Sequence, residues 1–252
     1  MFKGKNTLVV FGDSNVWGTE LKDAPEKQGT FTSVLYSPET INDWPHHIRN
    51  SFSGILAERN NMKILNLAIP GTSNDTIFKR VNKLIQGSYP IKLDDCFVMI
   101  FWTAVERREF YNALDERYFN YSPAWPASLN SYKFYNKFHD IYSKNMFSYN
   151  QDILRSFNYV YSLDGLLSYK GIEFLQGYSL FNHDLSNMIK KYKLKNLLSN
   201  EEKDSVQTIP VLISSENGKN NAPNDYVGAN HHPTELGHME VANRYCYLLR
   251  NR

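Results

Sequence analysis

The sequence has little of what would place it outside the ordinary globular proteins. Two cysteines in 252 residues, Cys96 and Cys246, are too few and too far apart for a disulfide framework. Cys96 opens an apolar run and Cys246 falls in the last expected helix, so both read as small core residues. The formal charge is only +2 and no arginine-rich or lysine-rich block stands out, which argues against nucleic acid as a partner. The densest basic cluster, Lys190-Lys191-Tyr192-Lys193-Leu194-Lys195, reads as a solvated helix face. No apolar stretch is long enough to span a bilayer, so no membrane partner is expected. The first strand begins within a few residues of Met1 and leaves no room for a signal peptide; a cytoplasmic protein is the expectation, with association in a larger particle such as a virion left open. Internal repeats, low-complexity tracts and linkers are also missing, so residues 1–252 read as one α/β domain with ample chain for a core.

What is present is organised around Leu8-Val9-Val10-Phe11-Gly12-Asp13-Ser14. Four apolar residues predict a buried parallel strand, and Gly-Asp-Ser ends it with turn-forming residues. In an open α/β sheet, ligands bind beyond the carboxyl ends of the strands, where Ser14 would stand. The plain alternative is that Asp13 or Ser14 only caps the next helix. At the other end of the chain, Asn230-His231-His232-Pro233 offers a base suited to activating a hydroxyl at neutral pH. Pro233 fixes the backbone after His232 and keeps the pair on a loop.

Between these ends, strands and helices alternate. Residues 19–43 read as a loop bordering the site, and a helix begins at Trp44-Pro45 and runs through Ile48, Phe52, Ile55 and Leu56, with His46 and His47 on its surface. A second strand covers 63–68 and leads into Gly71, which permits positive φ or close approach of a ligand; Ser73 or Asp75 caps a helix over 76–85. Cys96 to Trp102 is a third strand, continuously apolar as expected when helices cover both faces. An aromatic-rich segment follows at 110–147, with Tyr111, Trp125 and many other rings suited to stacking on sugars or lining an acyl pocket, or else to covering the core or building a homo-oligomer interface. A long helix is predicted over 148–169, a fourth strand over 171–178, a fifth over 209–213 with Pro210 favouring an edge, and a last helix over 234–249.

A Gly-Asp-Ser turn after the first strand and a His-Pro loop before the last helix resemble the SGNH (GDSL-type) serine hydrolase family, in a divergent form similar to phage and bacterial polysaccharide-associated members. The resemblance implies a three-layer α/β/α sandwich, a flavodoxin-like parallel sheet of about five strands. It implies an esterase acting on small acyl esters, O-acetyl groups on a saccharide, with no cofactor. It makes Ser14 the nucleophile and His232 the base, with His231 competing, and the N–H groups of Ser14 and Gly71 the holders of the oxyanion. Two positions depart from the family pattern. Where the third strand ends, the family has Gly-x-Asn-Asp, whose Asn donates to the oxyanion; this chain has Trp102, Thr103, Ala104 and Val105, so Asn74 or the Thr103 hydroxyl is the expected replacement. Where the family has an Asp three residues before the histidine, this chain has Ala229. Asp225 or a backbone carbonyl then orients the ring, or the enzyme is degenerate, or the chain is an inactive variant.

Asp13, Trp102, Arg107, Glu109, Tyr111 and Trp125 are the expected substrate-binding residues; for Arg107, Arg108 and Glu109 an ordinary salt-bridged turn is the alternative. His231, His232, Glu235 and His238 lie close together, but Pro233 interrupts the spacing a helical metal motif needs, so no metal is expected. The competing class is a saccharide-binding protein on the same scaffold that has lost chemistry. A nucleotide-binding protein is disfavoured because no glycine-rich phosphate loop follows the first strand.

Overall fold

Strand β1 (Thr7–Phe11) lies at the middle of a five-stranded sheet in the order β2 (Leu35–Tyr36), β3 (Lys63–Asn66), β1, β4 (Cys96–Trp102), β7 (Glu173–Tyr178). The structure, a computed structural model, describes residues 2, 4–19, 21–22, 34–113, 116–123, 133–179, 184–185, 187–188 and 232–250. Strands β3 (Lys63–Asn66), β4 (Cys96–Trp102) and β7 (Glu173–Tyr178) continue the sheet in parallel with β1. The chain leaves β1 for β3 on one side and then crosses to β4 on the other, so the strand order reverses at β1. That reversal opens a crevice beyond its carboxyl end, where Ser14 begins the next element.

The continuous apolar runs are explained by two cores. Leu8 and Val10 of β1, with Met99 and Phe101 of β4, face one core; Val9 and Phe11, with Val98 and Ile100, face the other. The first core is completed by α2 (His46–Asn50), α3 (Phe52–Arg59) and α7 (Glu235–Arg250), through residues such as Ile48, Leu56 and Tyr245. The second is completed by α4 (Asn74–Ile85) and α6 (Tyr149–Tyr169), through Ile77, Val81, Phe157 and Val160. The sheet is therefore the middle of three layers, as expected.

Four expectations change. The expected strand over 209–213 lies outside the described residues, and the sheet edge beside β3 is instead formed by β2 (Leu35–Tyr36), antiparallel to it and drawn from the segment expected to be a loop. The helix expected from Trp44 is two helices meeting at Ser51, whose backbone is extended (φ −65°, ψ 152°) and whose hydroxyl accepts from the Gly54 N–H. Gly54 makes the break possible: a Cβ there would lie 1.9 Å from the Ile48 carbonyl oxygen, so only glycine admits this close crossing. His47 is buried rather than on the surface, its ring 5.0 Å from that of Trp17. Finally, the aromatic segment contains a hairpin of β5 (Arg108–Asn112) and β6 (Arg117–Tyr121) followed by α5 (Lys133–Asn145). On one face of the hairpin Phe110, Phe119 and Tyr121 pack with Phe138 and Tyr142 into a small core of their own, so these rings cover structure rather than line a cleft.

Candidate active site

The turn after β1 is built by Asp13. Its carboxylate accepts from the Asn15 N–H at 3.1 Å and so caps α1 (Ser14–Trp17), which Gly18 closes in the left-handed conformation. Capping and display of the serine are one device here, because the cap that starts the helix puts Ser14 at its first position. The other oxygen of Asp13 accepts from the Thr103 hydroxyl at 2.7 Å and from Arg107 at 3.4 Å. The Ser179 hydroxyl donates to the first oxygen and accepts from the Asn15 amide at 3.2 Å. Arg107 also donates to Thr103 Oγ1 at 2.8 Å and to the Thr72 carbonyl at 3.4 Å. Burial lowers the Arg107 pKa, while the Asp13 charge acts the other way. A single buried polar network thus ties the ends of β1, β4 and β7 and the loop after β3 together beneath Ser14. The Ile69 N–H, donating to the Gly12 carbonyl at 2.9 Å, holds the loop that carries Gly71 against the same turn.

Across this turn stands His232, its Nε2 2.9 Å from Ser14 Oγ, between residues 218 positions apart. His232 precedes α7, whose His238 is fully buried. The His238 Nδ1 accepts from the Phe52 N–H at 3.2 Å, which puts its proton on Nε2, and that atom has no hydrogen-bond partner among the described residues. Burial and the neighbouring His232 push the His238 pKa down to about 3, so this ring is neutral.

The expected site residues divide. Gly71 has φ +71°, the conformation expected of it. Neither its N–H nor that of Ser14 donates to a described residue. The side chains of Asn74 and Thr103, the expected oxyanion donors, are engaged within the network. The Asn74 amide gives one proton to the Thr103 carbonyl at 3.2 Å and the other to Ser156 Oγ at 3.1 Å, while its oxygen accepts from the Thr103 N–H at 2.9 Å. The Thr103 hydroxyl proton goes to Asp13, so neither side chain has a proton to spare. Asp13, Trp102 and Arg107, expected to bind substrate, lie in the interior. Each is almost wholly enclosed, at 0%, 0% and 3% exposure, and the Trp102 indole donates to Gln176 at 2.9 Å. Glu109 is engaged with α4 through the Thr76 hydroxyl at 2.8 Å and Lys79, which anchors the hairpin. Tyr111 is half exposed, its ring 5.1 Å from that of Tyr118. Asp225, Ala229, His231 and Trp125 lie outside the described residues.

Ser179, Asn15 and Ser156 take part in the network without having been anticipated. Ser179 alone had a usable signal, since it directly follows a parallel strand whose end borders the crevice. Among the described residues no cluster of three or more metal-ligating side chains occurs, and no helix is long and apolar enough to cross a membrane.

No protein-family model and no curated protein matches the sequence. Solved structures do resemble it. A protein assigned to the lipolytic G-D-S-L family from Desulfitobacterium hafniense aligns at TM-score 0.50 and 8% identity, over 97% of this chain and 99% of that one. The esterase EstA from Pseudoalteromonas aligns at TM-score 0.49 and 10% identity, over 98% of each chain. An acetylxylan esterase from Geobacillus stearothermophilus aligns at TM-score 0.44 and 13% identity, over 98% of this chain and 95% of that one. At such low identity the likeness is one of fold: this chain has the α/β architecture of the G-D-S-L lipolytic protein, a mostly parallel five-stranded sheet between helices.

Proposed function

We propose that this protein is a serine hydrolase of carboxylic esters, with Ser14 as nucleophile and His232 as general base. The observation that carries the reading is the 2.9 Å approach of His232 Nε2 to Ser14 Oγ at the mouth of the crevice. His232 takes the serine proton as the oxygen adds to the ester carbonyl, and the tetrahedral oxyanion is held by the N–H groups of Ser14 and Gly71. Collapse expels the alcohol, which receives the proton from His232. Water, deprotonated by the same ring, then releases the acid and restores the serine. With Ala229 in place of the family's aspartate, Asp225 or a backbone carbonyl orients the imidazole. The acyl group is small, an acetyl ester on a saccharide, a reading supported by the exposed Tyr111 and Tyr118 on the hairpin.

The test is hydrolysis of p-nitrophenyl acetate at pH 8 by the native chain, by Ser14→Ala and by Ala229→Asp, together with labelling by a fluorophosphonate. Serine-dependent turnover and labelling support the reading, and a rise with Ala229→Asp marks an empty triad position. Absence of both in all three proteins sinks it. The competing reading, a saccharide-binding protein without turnover, is favoured by one observation: the Asn74 and Thr103 side chains are spent on structure, which leaves the oxyanion to backbone donors alone.

A further inference from the structure

A second concave surface lies beside segments that follow Ser14 and His232 in the chain. It is a groove of about 510 Å³ lined by Lys22, Asn42, His46, Arg49, Asn50 and Glu58 around the edge of Trp44. His46 Nε2 lies 2.5 Å from Glu235, three residues after His232. The adjacent His47 packs on Trp17, three residues after Ser14. Lys22 belongs to the turn directly after α1, where the Leu21 N–H donates to the Gly18 carbonyl at 3.1 Å.

The chemistry of this lining is one-sided. Lys22 is exposed and makes no ion pair with a described residue, and Arg49 leans on Glu58 only through one terminal nitrogen at 3.5 Å. Amide groups of Asn42 and Asn50 add polar lining, with one Asn50 proton donated to the His46 carbonyl at 3.0 Å. The one large ring, Trp44, is buried, and its indole N–H is spent on the Ser37 carbonyl at 2.8 Å. Such a surface offers almost nothing to an acyl chain. It offers hydrogen bonds to hydroxyls and two cations to an anion.

Resting on the esterase reading above, we infer that this groove holds the alcohol part of the substrate and that this part is an acidic saccharide, its carboxylate placed between Lys22 and Arg49. Glu58 limits the positive charge and sets the affinity rather than abolishing it.

Calorimetric titration at low salt with unesterified sugars tests this, because binding then needs no turnover. Trigalacturonate is expected to bind about tenfold or more tighter than maltotriose, and the double variant Lys22→Ala/Arg49→Ala to lose about tenfold of that affinity while keeping the native thermal midpoint. Glu58→Gln is expected to strengthen trigalacturonate binding by about threefold. Equal binding of the two trisaccharides overturns the inference, as does undiminished binding by a folded double variant. Inorganic phosphate competing on equal terms with trigalacturonate also overturns it, since the groove would then be a bare anion site. If trigalacturonate binds as expected but no Ser14-dependent hydrolysis exists, the esterase reading falls and the acidic-sugar site stands; hydrolysis without selective binding removes the groove alone.

Discussion

Asp13 and Thr103 end two neighbouring strands and meet through a 2.7 Å hydrogen bond that solvent does not reach, both residues being 0% exposed. The same carboxylate receives Arg107, Ser179 and the cap of α1, so one buried charge organises the floor under Ser14. Asp13→Ala leaves the Arg107 guanidinium enclosed without its counter-charge, and the expected loss is about 3–5 kcal/mol. Urea denaturation at pH 7 measures it. A loss below about 1 kcal/mol would mean that the network relaxes or takes in water.

Acid sensitivity follows from His238. Its folded pKa, held down to about 3 by burial and by His232, lies below the ~6.5 of an exposed imidazole. The unfolded chain therefore binds the proton first as pH falls. Stability that is fully present above about pH 6.5 is lost toward pH 3, by up to about 1.4 kcal/mol per pH unit. His238→Asn is expected to be less stable at pH 7 and to show a flatter decline. Parallel denaturation curves for the two proteins between pH 7 and pH 4 would contradict this.

His232→Ala tests the base separately from the nucleophile. Turnover of p-nitrophenyl acetate is expected to drop by about 10⁴-fold or more, with KM nearly unchanged, because the ring acts on the reacting proton rather than on binding. Steady-state kinetics with an active-site titration by fluorophosphonate gives both quantities. A loss confined to KM argues instead for a binding role.

Asn74→Ala separates structure from oxyanion chemistry. The substitution orphans the Thr103 N–H and carbonyl and the Ser156 hydroxyl, and should cost about 1–3 kcal/mol in stability. The loss is expected in the thermal midpoint and in denaturant curves. Native stability with collapsed turnover would return Asn74 to the oxyanion hole.

Gly54→Ala addresses the break between α2 and α3. With a Cβ 1.9 Å from the Ile48 carbonyl oxygen, the helix crossing has to open, and destabilisation of about 1–3 kcal/mol is expected. Gly165, whose added Cβ would meet nothing within 4 Å, is the control: Gly165→Ala in the interior of α6 should stabilise by a few tenths to about 1 kcal/mol.

Much of the frame was legible locally. Residues 8–11 of β1 and all of β4 are unbroken apolar runs, and α4 and α6 carry their apolar residues at helical spacing, so each element declares itself within about ten residues. Edge strand β2 did not, since two residues make no pattern. The β5–β6 hairpin was hidden by its aromatics, which serve stacking on a ligand and packing of a small core equally well.

By itself the amino-acid order determined the central strands and the helices flanking them, the placing of Ser14 after the first strand, and a histidine before the last helix. Only the tertiary structure decided which polar groups meet. A strand buried on both faces has no polar side to show which way Trp102 points. The cap that Asp13 gives to the Asn15 N–H was legible locally, but its other partners, Thr103, Arg107 and Ser179, are 90, 94 and 166 positions away, so nothing in its neighbourhood foretold the buried network under the site. The approach of His232 to Ser14 is likewise a property of the sheet's strand order, which brings remote strand ends to one edge.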